Sequence, residues 1–211
     1  ALSFRADPTI AIVPGERTHL TVTPGCPVTV VCAVAYREPL VDVEPQAAWA
    51  ALCEDIAGWQ KWCPDIDGDL AHRDIVVRSL ITLRLLTHSP SGAPVAAPTT
   101  SLPEDVGGVR NWDYRYAWPR DASIGIGTFL GLGKVDEARH FLAWLLHASR
   151  LDRPRLPALL GIYGGPAPAE RELAGWPGYA ASVPVHIGNG AGKQHQLDSY
   201  GWVLDAAWVL T

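Results

Sequence analysis

The densest group of chemistry-bearing side chains lies in residues 107–123, GGVRNWDYRYAWPRDAS. Two Trp, two Tyr, three Arg and two Asp stand there between a glycine pair and a helix-start signal. Flat rings beside fixed charges suit a sugar: the rings stack on pyranose C–H faces, and Arg forks and carboxylates take hydroxyls in pairs. The same composition also serves a structural loop whose rings fill core and whose charges pair locally. Asp113 and Asp121 have the look of a glycosidase pair, since glycoside hydrolysis uses two carboxylates about the scissile bond. Each has an Arg close by in sequence, however. A neighbouring cation favours the ionised carboxylate, which suits gripping hydroxyls and not donating a proton.

The order of residues narrows the choice. Residues 95–123, VAAPTTSLPEDVGGVRNWDYRYAWPRDAS, resemble the signature region of bacterial glycoside hydrolase family 15, which holds glucoamylases, glucodextranases and trehalase-type enzymes. The resemblance continues in KVDEARHFLAWLL (134–146) and in ERELAGWPGYAASVPVHIGNGAGKQHQLDSYGWVLDA (170–206), so it covers most of residues 70–211 in the family's order. It implies a mainly α fold. Residues 71–211 are then the N-terminal part of an (α/α)6 toroid catalytic domain, 42–70 a linker helix, and 1–41 the C-terminal part of a β-sandwich domain. It implies that Trp118, Arg120 and Asp121 hold the hydroxyls of the non-reducing glucose, with Tyr114 lining the same subsite. Ala117 and Pro119 depart from the family's pattern beside Trp118.

The activity so implied is inverting hydrolysis of α-glucosidic bonds with release of glucose. The general acid and base are glutamates expected beyond residue 211, so this chain carries the sugar-gripping half and no catalytic residue of its own. The implied partner is an α-glucan, an oligosaccharide or trehalose; glucoamylase-like, glucodextranase-like and trehalase-like action stay open. The alternative is a non-catalytic carbohydrate-binding relative that keeps the stacking loop and lacks the distal carboxylates. No cofactor is expected, and an oligomer is compatible with the reading.

Hydrophobic periods show which elements must position these residues. Residues 9–13, 17–23 and 27–36 are β-branched runs punctuated by Pro-Gly, which predicts strands. From Pro45 the period changes to that of a helix, with Trp49, Leu52, Ile56, Trp59 and Cys63 recurring until Pro64. A second helix is predicted over 71–87 on the stripe Ile75, Val76, Leu80, Leu83 and Leu86. Residues 89–102, rich in Pro, Ser, Ala and Thr, predict a long loop, which the family resemblance implies lies at the mouth of the site. Helices over 121–132 and 136–149, separated by Gly133, predict an αα-hairpin that sets Arg120 and Asp121 on the loop feeding a helix N-terminus. Residues 151–189 predict an irregular excursion. A last helix begins near 196–198 with Leu197, Tyr200, Leu204 and Trp208 on one face.

Several other chemistries are excluded. A net charge of −5, with no basic run interleaved with aromatics, argues against nucleic acid. No apolar run reaches the roughly 18 residues of a membrane span, and ALSFRADPT is no signal peptide. The absence of Met and the abrupt start and end suggest part of a longer polypeptide. GNGAGKQ (188–194) fails as a phosphate loop, since Ile187 and Gln194 occupy positions that need Gly and Ser or Thr. GIGTFLG (125–131) has the wrong spacing for a dinucleotide fingerprint, and no G-x-S-x-G elbow occurs. PDIDGD (64–69) lacks the remaining ligands of a calcium loop and predicts an acidic turn. His140 and His147 lie two turns apart without a third ligand, so no metal is assigned. In one strand, Cys26 and Cys32 would sit roughly 20 Å apart. In one helix, Cys53 and Cys63 would be about 15 Å apart. Disulfides within those pairs would fail, while bridges between the two segments stay open. Four reduced, buried cysteines in a cytoplasmic protein are expected.

Overall fold

Alternation of side chains at period two produces β1 (Leu2–Asp7) and β2 (Thr29–Val34), which pair antiparallel from Leu2 opposite Val34 to Asp7 opposite Thr29. The computed structural model describes residues 1–13, 15–63, 66, 69–151 and 154–211. The chain is mainly helical and divides into two units, Ala1–Pro64 and Asp65–Thr211.

In the first unit, helix α1 (Pro45–Trp62) packs on β1 and β2. Pro45 supplies the fixed φ that suits a first helical position. Arg5 of β1 donates to Asp42 through Nε at 2.6 Å and to Glu44 through Nη1 at 2.9 Å, on the chain that leads into α1. The strands expected over 9–13 and 17–23 do not form ladders; residue 23 makes one isolated bridge, to Cys26. Leu20 and Val22 are exposed. β-propensity records packing against a neighbouring strand, and no such neighbour pairs with this segment among the described residues. The strand at Leu2–Asp7 agrees with the β character expected of residues 1–41, although its Arg and Asp dilute the apolar run and it does not stand out as a run of its own. All four cysteines are free, but Cys26, Cys32 and Cys53 are exposed and Cys63 is half-buried, which corrects the expectation of buried thiols. On β2, alternation puts Cys32 on the outward face with Val30 and Val34.

The second unit opens with α2 (Arg73–Leu85) and a short hairpin of β3 (Thr87–His88) and β4 (Ala93–Pro94). Only residues 66 and 69 of the predicted acidic turn are described; the rest of it lies outside the described residues. The centre of the unit is the expected αα-hairpin of α3 (Pro119–Gly131) and α4 (Val135–Ala148). Gly133, at φ +77°, takes the left-handed turn that ends α3. Ile126, Phe129, Phe141 and Leu145 fill the space between the helices, and the two phenyl rings meet edge to face at 5.3 Å. Among the described residues of 151–189 the chain is irregular as predicted, except for a 3-10 turn at Tyr179–Ala181 and for β5 (Arg171–Leu173), which pairs antiparallel with β6 (Val185–Ile187).

Helix α5 (Asp198–Trp208) packs on α3. Its predicted apolar face is not the packing face: Leu204 is 72% and Trp208 78% exposed, while the buried residues are Ser199 and Ala206. Ser199 and Ala206 are small and lie seven apart, two turns along one face, so the side of α5 that is buried carries small side chains. Among the described residues no helix is long and apolar enough to cross a membrane.

Candidate carbohydrate site

Extended backbone builds the first wall of the site. Residues 96–101 run beside 112–116, with Ala96 N–H donating to Tyr116 O at 3.0 Å, Ala97 to Tyr114 O at 2.9 Å and Ser101 to Trp112 O at 3.1 Å. The long loop predicted over 89–102 is therefore pinned to the signature. In extended chain, alternate side chains share a face. Trp112 and Tyr114 face one cavity, whereas Asp113 between them is fully buried on the other side. Ala117 exchanges two 2.9 Å backbone hydrogen bonds with Leu160, and Trp118 is extended at φ −98°, ψ 129°. Pro119 then takes the first helical position, since its ring forbids a helical residue before it and suits one at its own place. The two departures from the family pattern thus make the corner from strand into α3. Arg120 and Asp121 lie in the first turn of the helix, not on a loop before it.

The second wall comes from the β5–β6 hairpin. Its antiparallel register sets Glu170, just before β5, against the chain leaving β6. Gly190 N–H donates to Glu170 Oε2 at 3.0 Å. Gly188 adopts φ +79°, and a Cβ there would lie 2.3 Å from Ala169 O, so only glycine fits. Asp113 joins the two walls. Its carboxylate accepts from Arg115 Nε at 2.9 Å, Arg115 Nη2 at 2.8 Å, Tyr116 Oη at 3.1 Å and Gly188 N at 3.1 Å. Asn189 Nδ2 donates to the Asp113 carbonyl at 3.0 Å. Burial pushes the Asp113 carboxyl up, but the hydrogen bonds from Arg115 and Gly188 outweigh it and hold the group below its ordinary value. Asp113 therefore binds the protein to itself, which corrects the expectation that its Arg neighbour commits it to a ligand.

The cavity between the walls measures about 480 Å3, within the range of small-molecule sites. All four residues predicted for the site, Tyr114, Trp118, Arg120 and Asp121, line it. The Tyr114 and Trp118 rings lie 5.7 Å apart at 52°, and Trp118 is 7% exposed. Tyr114 Oη donates to Glu104 Oε1 at 3.2 Å, and burial followed by the Glu104 charge raises the phenol. Trp112 also lines the cavity and lies 5.3 Å from the His186 ring.

Electrostatics at Asp121 differ from expectation. Arg120 Nε stands 3.9 Å from Asp121 Oδ1, beyond hydrogen-bond distance, whereas Arg120 Nη1 donates to Asp198 Oδ2 at 2.9 Å. Burial raises the Asp121 carboxyl, and Arg120 offsets this only in part. The cation that should have held Asp121 ionised is directed at another carboxylate.

Trp112, Glu170, Asn189, Gly190 and Gln194 line the cavity without having been singled out for it. Strand alternation marks Trp112 as sharing a face with Tyr114. The others lie in residues 170–206, the last stretch of the family resemblance, including the run that fails as a phosphate loop, which forms a 3-10 turn at Gly190–Lys193. Among the described residues no three His, Cys, Asp or Glu are grouped to hold a metal ion. Rings on one wall and carboxylates, a guanidinium and amides around them suit an uncharged polyhydroxyl ring.

Comparison with known proteins agrees with this chemistry. The family model described as glycosyl hydrolases family 15 matches residues 71–211. The chain is 41% identical over 155 residues to a trehalase of Mycolicibacterium smegmatis, covering 72% of the chain and 23% of that relative. It is 38% identical over 159 residues to a trehalase of Thermoplasma acidophilum, covering 75% of the chain and 27% of the relative. It is 44% identical over 124 residues to trehalase 1 of Sulfolobus acidocaldarius, covering 58% of the chain and 22% of the relative. The chain thus spans about a quarter of the length of the curated relatives it matches. No solved structure matches it.

Proposed function

Because the chain belongs to family 15 of the glycosyl hydrolases, we propose that it supplies the substrate-gripping half of an enzyme that hydrolyses an α-glucosidic bond of trehalose and releases glucose. The observation that carries this is the convergence of Tyr114, Trp118, Arg120 and Asp121 on one cavity. Trp118 and Tyr114 take the faces of a glucose ring, and Arg120 and Asp121 take its hydroxyls. Trehalose is chosen over a glucan because the relatives above are named trehalases. The α3–α4 hairpin is read as one repeat of an (α/α)6 toroid over 71–211, residues 42–70 as a linker helix, and 1–41 as the end of a β-sandwich. A cytoplasmic location is proposed on the four free cysteines.

Cleavage with inversion needs an acid to protonate the leaving oxygen and a base some 6.5–9.5 Å away to activate water. The acid and base are proposed to be glutamates outside these 211 residues. Among the residues here, Glu170 is held by the Gly190 amide and Glu104 by Tyr114, and Asp113 is sealed. One observation favours a second reading: the raised carboxyl of Asp121 is the direction a proton donor needs.

Two measurements decide. Proton NMR of trehalose hydrolysis by the intact protein should show β-glucose released alongside α-glucose; α-glucose alone would reject inversion. Residues 1–211 by themselves should release no glucose from trehalose, maltose or dextrin. Activity there that Asp121→Asn abolishes would instead make Asp121 the acid. Sugar binding without hydrolysis by the intact protein would support the non-catalytic relative.

A further inference from the structure

We propose that Asp198 is a positioning residue for the sugar site, fixing the guanidinium of Arg120 from outside the cavity; this rests on the reading of that cavity as a glycoside site. Arg120 carries a long flexible side chain, one-third exposed. Of its two carboxylate neighbours, Asp121 at 3.9 Å is too distant to orient it by a hydrogen bond. Asp198 at 2.9 Å does so through Nη1. A guanidinium is planar with its donors in a fixed fork, so anchoring one nitrogen to a directional acceptor limits where the remaining donors point. Asp198 is not among the residues that line the cavity, so it acts on a ligand only through Arg120.

Both ends of this bridge are anchored. Arg120 lies in the first turn of α3 and Asp198 in the first turn of α5. The positive end of α5 favours a carboxylate there. The two helices are packed together, and Ser199, next to Asp198, is 1% exposed. The Arg120 contact also holds the Asp198 carboxyl below its ordinary value. Of the signature's ionic contacts, this one reaches furthest along the chain, joining two halves of the unit 78 residues apart at the edge of the cavity.

The test measures trehalose hydrolysis by the intact protein. Asp198→Asn should lower kcat/KM about tenfold, as expected when a charge-assisted hydrogen bond no longer orients its partner. Asp198→Glu should recover part of the loss, and Asp205→Asn on the same helix should behave as wild type. In an Arg120→Ala background, Asp198→Asn should cost nothing more. Millimolar guanidinium should restore activity to Arg120→Ala but not to Arg120→Ala combined with Asp198→Asn, because only the carboxylate holds the added ion in place. A helix that merely needs Asp198 for folding would not show this dependence. Losses that multiply, or guanidinium rescue that survives Asp198→Asn, would overturn the proposal. If Asp198→Asn fails to fold, Asp198→Glu carries the test: kcat/KM equal to wild type would overturn it, and an intermediate value would support it. Unchanged hydrolysis in both Arg120→Ala and Asp121→Asn would reject the site reading itself and leave the Arg120–Asp198 geometry unaffected.

Discussion

Asp113 and Asp121 look alike in sequence and do opposite work. Asp113 is sealed and accepts from side chains and amides on both walls. Its folded pKa is depressed, so its contribution to stability is complete above the unfolded carboxylate range near pH 4 and is lost as pH falls through the folded value. Asp113→Asn must turn an NH2 toward one of several donors, and Asp113→Ala leaves those donors unpaired. Each should cost roughly 3 kcal/mol in urea unfolding at neutral pH, with the deficit shrinking in acid; an equal deficit at all pH values would reject the charge argument. Asp121 is 52% exposed on its side chain and shifted the other way. A raised folded pKa means stability falls as pH climbs through it, so Asp121→Asn should be neutral or slightly stabilising at neutral pH while kcat/KM drops about ten- to a hundredfold through loss of a charged hydrogen bond. The residue types of the site were legible because rings and charges cluster in one short run. The separation of the two aspartates was not, because it depends on which face of an extended strand each occupies and on amides some 75 residues away.

Among the elements, the αα-hairpin was readable from its 3.6-residue stripe and its glycine stop, while the packing face of α5 was not. A sequence stripe reports which face is most apolar, whereas the side of α5 that is buried carries the small residues Ser199 and Ala206. The glycines of α3 sharpen this point. A Cβ on Gly125 would meet Phe141 Cε2 at 3.0 Å, and that ring is locked against Phe129. Gly127, two residues on, has nothing within 4 Å. Gly125→Ala should destabilise by about 1 kcal/mol, with overpacking exceeding the gain in helix propensity. Gly127→Ala should stabilise by a comparable amount. Equal effects in thermal unfolding of the two variants would show that the hairpin core yields more easily than its geometry indicates. In the first unit the run 27–36 does contain a strand, β2 at Thr29–Val34, whereas 9–13 and 17–23 form no ladder, because a β-branched run becomes a strand only when another strand lies beside it.

At the scale of the whole molecule, the described residues that line the cavity all belong to the second unit. If the cavity holds trehalose as proposed, removing residues 1–64 from the intact protein should leave the KM within about twofold, a margin smaller than one hydrogen bond's worth of affinity; a larger rise would show that the first unit contributes to the site. The same map has a consequence for the order of folding. The contacts that shape α3 against α4, and residues 96–101 against 112–116, span short stretches of chain. The contacts that close the cavity, from Ser101 to His186 and from Asp113 to Gly188, bridge loops of 85 and 75 residues. Closing long loops comes late because their entropy is lost before their contacts are gained. In refolding, helical circular dichroism should recover first and competence to bind sugar should lag behind it, so a newly made chain would pass through a stage in which the ring-bearing wall is formed and has nothing facing it.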